Sequence, residues 1–421
     1  MEVCSIEVSS RKGYCELQAQ VRSDTARKPF LLRYCYPSAA QGFLRPNNGD
    51  AFLAAVLLPA MKTGETVEIP ADVSPKLLHA VGEIQSVYRS WDKTLSKVQV
   101  KAHARDDQPM LKQWPSRRGL FFSCGVDSYY SLLKNLADHP DGKDTITDLI
   151  VLRGFDIPFW RLGSDIFRTI LVNARRASGE FQKNMLPVAT NLRDFGARFV
   201  SWPSAYHGAA LASVGLTLES VFERIHIAAS FSHDQLFPWG SHPALDPLWS
   251  TESLAFSHDG GEAKRVEKIR FIARFPIVTD TLRVCTYRPF SAVIYNCGVC
   301  EKCLRTMVAL HMAGALQRCR TLPNSIDLRE LRSISVAEDL RVYMEELVAD
   351  LGSSGTDLAI KSALQEALSG SRPPRSTIAA LSVLLSLAAY VPPLSYLWVR
   401  QWRALRRSPP SSISGLFRFP Q

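Results

Sequence analysis

Two groups of residues in this 421-residue chain have the types and spacing that chemistry requires. The first is Ser123-Cys124-Gly125-Val126-Asp127-Ser128, which follows an apolar run at 120–122 and precedes a helical pattern over 129–137. A loop leaving a strand and entering a helix aims backbone N–H groups and the positive helix end at one point, and Gly125 lets an anion approach the main chain closely. Ser123 and Ser128 add hydroxyl donors. Asp127 repels phosphate and makes sense instead as a Mg²⁺ ligand or a loop cap. The spacing and lysine of a Walker loop are missing. A serine-rich turn that only caps a helix is the plainer alternative.

The second group is Cys285, Cys297, Cys300 and Cys303, spaced C-x₁₁-C-x₂-C-x₂-C. Four thiolates are what a tetrahedral structural zinc takes, and Gly298 allows the turn that brings neighbouring thiolates onto one ion. An iron–sulfur cluster uses the same ligand number, but no other stretch points to redox chemistry. Cys303 opens a helical pattern running to Gly314, so the metal would pin that helix to the loop carrying Cys285.

The elements that must position these groups read as strand alternating with helix. Apolar runs at 120–122, 148–152, 186–189 and 224–229 alternate with helical stretches, notably 207–222, which predicts a doubly wound parallel sheet, an α/β class. Ligands of such sheets bind at the carboxyl ends of strands. The loops there are Arg153-Gly154-Phe155-Asp156, Thr190-Asn191-Leu192-Arg193 and Ser230-Phe231-Ser232-His233-Asp234, a polar, cation-bearing rim on which Arg153 is a further nucleotide contact. His207, at a helix N-terminus after Ser201-Trp202-Pro203, is expected to be neutral and to exchange a proton with substrate. Residues 237–250 hold Trp239, His242, Asp246 and Trp249 among three prolines. Their aromatic planes suit a flat heterocycle, or fill the protein's own core. Lys264, Arg265 and Lys268 open a basic helix that could neutralise departing pyrophosphate, with Arg265 the candidate for a catalytic role.

The spacing of the first group resembles the S-G-G-x-D-S loop of the PP-loop ATP pyrophosphatases, which cleave ATP between the α and β phosphates and leave AMP on a substrate. Together with the four cysteines, residues 119–312 are similar to the 7-cyano-7-deazaguanine synthase branch of that superfamily, which carries a Cys₄ zinc near its active site. The resemblance implies an ATP-dependent carbon–nitrogen ligase that adenylates a carboxylate, with ATP, Mg²⁺ and Zn²⁺ as cofactors. By it, Ser123, Gly125, Asp127 and Ser128 match the nucleotide loop, with Cys124 and Val126 between them, and Cys285, Cys297, Cys300 and Cys303 match the zinc ligands. Three departures matter. Cys124 replaces the first loop glycine, His207-Gly208 stands where the branch has an Arg-Asn pair, and residues 245–249 match its substrate segment only loosely. ATP chemistry therefore carries over better than the deazaguanine substrate. The other readings kept open are RNA thiolation, for which Cys124 would be the reactive thiol, and a non-catalytic zinc-stabilised nucleotide-binding module.

Around this core, residues 1–112 read as a separate α+β domain, with strands at 3–8, 16–21, 30–36 and 97–101 and a helix over 75–89. Residues 113–315 form the nucleotide domain with the zinc site. Residues 316–421 form a helical region, including a capping box at Ser335-Val336-Ala337-Glu338 that opens a helix to about Leu351 and a further helix over 356–368. A net charge of +10, from 50 basic and 40 acidic residues, suits an anionic partner. Nine cysteines with no export signal read as thiols or metal ligands, and the expected compartment is the cytoplasm. Residues 377–399 are uncharged, yet Pro392-Pro393 and several serines interrupt them, so membrane contact of this tail is not expected. The partners expected are a small-molecule or protein-borne carboxylate substrate and a second copy of the chain, with nucleic acid a candidate through the net charge.

Overall fold

The computed structural model describes residues 1–106, 117–157, 159, 165–285 and 295–370. Apolar residues on consecutive strand positions decide its architecture. In β6 (Arg117–Phe121) and just beyond, Leu120 and Phe122 enter one buried cluster while Phe121 enters the other. In β7 (Asp148–Arg153), Leu149 and Val151 share the first cluster and Ile150 the second. Successive side chains point to opposite faces, so these strands are apolar on both sides and must be covered on both.

The sheet has ten strands in the order β10-β9-β6-β7-β8-β3-β2-β1-β4-β5. Its remaining members are β1 (Glu2–Arg11), β2 (Tyr14–Arg22), β3 (Phe30–Pro37), β4 (Val67–Glu68), β5 (Val100–Lys101), β8 (Asn184–Thr190), β9 (Phe222–Ala228) and β10 (Ala255–Asp259). The five strands from β6 onward all pair in parallel. Numbered among themselves they run 3-2-1-4-5, and the order reverses between β6 and β9. The fold is α/β with a mostly parallel sheet. The strands of the first 37 residues extend it, because β3 pairs antiparallel with β8 through Tyr34 opposite Thr190 and Cys35 opposite Ala189. The expected boundary at 112/113 lies outside the described residues.

One face packs against α1 (Gly49–Thr63), α2 (Pro75–Trp91), α5 (Leu192–Gly196) and α6 (His207–Leu216). The other carries α3 (Val126–Asp138), α4 (Asp165–Glu180), α7 (Arg265–Ile272), α8 (Pro276–Thr281), α9 (Glu301–Met312), α10 (Leu328–Ser333), α11 (Arg341–Asp350) and α12 (Gly355–Ser369). Hydroxyl pairs fix the first layer: Tyr34 meets Ser213, Tyr36 meets Thr217, and Tyr206 donates to the Ala55 carbonyl. Each satisfies a buried polar group that would otherwise be costly.

Several elements differ from the sequence reading. α1 has no polar face at all, since residues 49 to 61 are buried throughout, so it carries no amphipathic period to read. α6 stops at Leu216 rather than 222. The expected cap at Ser335 does not form. A short 3₁₀ turn at Glu338–Leu340 comes first, and α11 starts at Arg341. No helix among the described residues is long and apolar enough to cross a membrane, and the 377–399 run lies outside them.

Candidate functional site

The Ser123–Ser128 loop leaves β6 at its carboxyl end, beside the point where the strand order reverses. Open parallel sheets bind ligands in the crevice at such a point. Cys124 has φ +58°, the left-handed region where a side chain costs about 1 kcal/mol. This is why a glycine would sit there more easily. The loop is closed on itself: Gly125 N–H donates to Ser123 Oγ at 3.2 Å, Ser123 N–H to Ser128 Oγ at 3.3 Å, and Ser128 Oγ–H to the Gly125 carbonyl at 3.1 Å. Gly125 is the N-cap of α3, and no side chain among the described residues caps that helix, which leaves its first N–H groups to face a ligand. Val126 contributes only backbone, because its side chain is in the core.

Burial pushes the Cys124 thiol up to about 12, and the residue is fully enclosed. A thiol held neutral is a poor nucleophile. This burial works against the reactive role considered for Cys124 in RNA thiolation. We expect Cys124→Gly to leave pyrophosphate release intact, and mass mapping after iodoacetamide at pH 8 to find Cys124 unmodified in the folded chain. Loss of release in that variant, with its stability retained, would restore the thiolation reading.

Asp127 is held by cations rather than presented to a metal. Its carboxylate accepts hydrogen bonds from Arg265, and Lys268 Nζ lies 3.5 Å away. Burial opposes its ionisation, but these two cations outweigh that and keep the carboxyl below the usual carboxylate range. In the expected Mg²⁺ role, an ion at Asp127 would compete with Arg265 for this carboxylate. Lys268 is itself anchored, donating to the Ala229 carbonyl at 2.7 Å at the end of β9. Arg265, at the start of α7, is brought against the loop. Lys264, by contrast, is exposed and pairs with Asp234 at 3.2 Å.

More cations converge on the loop than the sequence reading named. Arg283 donates its backbone N–H to the Cys124 carbonyl at 2.9 Å, and its guanidinium faces Asp156 at 3.4 Å. Lys302 and Arg305 come from α9, where Arg305 pairs with Glu301 at 3.1 Å. Asp127 and Asp156 both act on Lys302, and Asp127 acts on Arg305. Arg153 ends β7, buried, with its guanidinium 5.2 Å from the Phe167 ring centre.

The four cysteines do converge, their sulfurs all within 4.8 Å of one another. Cys285 and Cys300 sulfurs are 3.9 Å apart, as are those of Cys297 and Cys303. A tetrahedral zinc with bonds of about 2.3 Å separates its sulfurs by about 3.8 Å. The cluster could hold a metal such as zinc. Cys300 N–H donates to Cys297 Sγ, and Asn296 clamps the approach: its Oδ1 accepts from Val284 and Cys285 N–H, its Nδ2 donates to the Leu282 and Thr321 carbonyls. The asparagine beside a C-G-x-C turn was the available sign of this clamp. Gly298, at φ +75°, makes the turn.

His207 opens α6, on the face opposite α3 and α9, and Asp156, which faces Arg283, acts on it. Its Nδ1 lies 3.2 Å from the Trp202 carbonyl, and burial lowers its proton affinity. Desolvation is the main cause of that lowering in His207. No hydrogen bond or ion pair among the described residues joins it to the 123–128 loop. It belongs instead to an aromatic rim, 5.6 Å from Trp239, which in turn meets Phe231 and Phe237. Trp249 fills the core, while Trp239 and Trp202 are half-buried on this rim.

No protein-family model, no curated protein and no solved structure matches this chain.

Proposed function

We propose that the chain is an ATP-dependent ligase that adenylates a carboxylate, releases pyrophosphate, and passes the acyl group from AMP to an amine. What supports this reading is one arrangement: a strand–loop–helix turn with uncapped N–H groups at the reversal of strand order, with Arg265 and Lys268 held beside it by Asp127. Such a turn suits a phosphate, and the cations beside it suit the charge that grows on a leaving diphosphate. The carboxylate oxygen attacks the α-phosphorus, the bond to the β-phosphate oxygen breaks, and the electron pair leaves with pyrophosphate.

In this reading the loop N–H groups and the hydroxyls of Ser123 and Ser128 hold phosphate oxygens, and the two cations receive the diphosphate. Mg²⁺ would arrive on ATP and reduce repulsion between its phosphates. Zinc in the Cys₄ cluster would supply folding energy and fix the start of α9. The half-buried aromatic rim around Trp239 and Trp202 suits a flat acceptor. The deazaguanine series is the first substrate to try.

The test is release of AMP and pyrophosphate from ATP and Mg²⁺ in the presence of candidate carboxylates, starting with 7-carboxy-7-deazaguanine. Stimulation by one acid is expected. Formation of ADP, or tight ATP binding without turnover on any acid, defeats the ligase reading and leaves the nucleotide-binding module.

A further inference from the structure

The C-terminal helices reach into the site chiefly through Tyr343. Tyr343 of α11 is 4% exposed and donates its hydroxyl to the Ser230 carbonyl, in the loop after β9, at 2.7 Å. Phe231 stacks on its ring at 5.1 Å and 14°. Two guanidiniums lie over the same ring, Arg305 at 4.1 Å and Arg265 at 5.6 Å from its centre. Two like charges brought to one aromatic ring repel each other, and only part of that is offset by the ring quadrupole.

The neighbouring acids do not close the account. Asp127 is engaged by Arg265 and Lys268, and Glu301 faces Nε of Arg305. Glu346, one turn along α11, is pushed by burial towards its neutral form. Arg305 is 4% exposed, and its Nη1 has no hydrogen-bond partner among the described residues. A buried guanidinium N–H left unmade is costly, and an anion is what satisfies it.

We propose that Arg305 and Arg265, seated on Tyr343, form a clamp for a diphosphate group, so that the helix after the cysteine cluster and the C-terminal helices complete the phosphate site begun by the loop. The ligand's identity as diphosphate rests on the adenylation reading. The clamp itself rests on the unpaired Nη1 and the shared ring. Arg305 takes a terminal phosphate oxygen through Nη1, and Tyr343 holds both guanidiniums against one ring. Recognition of two linked phosphates, each with several oxygens, favours this planar fork over a point charge.

Calorimetric titration of the full, metal-loaded chain with inorganic pyrophosphate tests it. Binding is expected to weaken by about tenfold or more in Arg305→Lys and in Tyr343→Leu, and to persist in Tyr343→Phe, which keeps the ring. Circular dichroism and metal content, unchanged in all three, separate this from misfolding. Wild-type affinity in Arg305→Lys, no binding by the wild type, or acetate binding as tightly as pyrophosphate would each overturn the clamp. Since no turnover is read, a chain that binds pyrophosphate through Arg305 but releases no AMP loses the ligase reading alone. A chain that turns over with Arg305→Lys binding normally loses the clamp alone.

Discussion

Changing Asp127 to Asn is expected to lower pyrophosphate release, if the ligase proposal holds, about a hundredfold or more while making the chain measurably less stable. The activity loss is expected because the variant frees Arg265 and Lys268 from the carboxylate that aims them, and preorganised charges at a developing anion carry effects of this size. The stability loss is expected because both cations are buried, Lys268 almost completely, and a buried charge stripped of its partner costs about 3 kcal/mol or more. Reading 123–128 as an exposed turn would have predicted no change in stability. Ser128 is 4% exposed, which already contradicts that picture. The sign of the pH dependence follows: a carboxyl held below its unfolded value contributes stability that is complete above the unfolded pKa and fades as pH falls through the folded one. Acid unfolding of Asp127→Asn should therefore show less pH dependence below pH 4 than the wild type. Chemical denaturation at pH 7 and at low pH, beside a pyrophosphate-release assay, measures both. Wild-type release from Asp127→Asn would remove the loop from the chemistry.

Changing Cys300 to Ser is expected to abolish metal binding and unfold the segment around α9. One equivalent of zinc per chain is expected in the wild type, and structural zinc contributes on the order of 10 kcal/mol to folding in small domains. The effect spreads because α9 is buried along its length, with Leu304, Met307, Val308 and Leu310 all in the core beneath α11. Metal analysis, proteolysis of 297–314 and thermal unfolding with and without chelator report the result. Purified protein containing neither zinc nor iron, or a chelator-insensitive melt, would refute the metal assignment.

How far the sequence carried the site depended on locality. The loop and the cysteines were legible because each is defined within a few residues, and Arg265 because it opens a basic helix. Lys302 and Arg305 lay in view inside the cysteine motif, but their inward aim depends on how α9 docks, which no local pattern records. Tyr343 was invisible for the same reason: a half-buried amphipathic helix gives no sign that one of its residues stacks on Phe231 beyond the end of β9. His207 was legible as the start of a helix, but a helical stretch alone does not say which side of the sheet it will cover or that the residue meets the rim of Trp239 and Trp202. Among the strands, β6 to β9 were found as continuous apolar runs. β10 was missed because Ser257, His258 and Asp259 make half of it polar, with the His258 imidazole against Asp246 at 2.7 Å.

The junction of β3 with β8 changes what trimming the chain would do. A fragment starting at residue 117 would leave β8 as an outer strand with its N–H and C=O groups unpaired, and α6 without the α1 surface it packs on. Bare strand edges next to apolar surface recruit other chains. Such a fragment would carry the loop and all four cysteines, yet it would be expected to precipitate, so solubility of the isolated piece says nothing about whether its chemistry is intact.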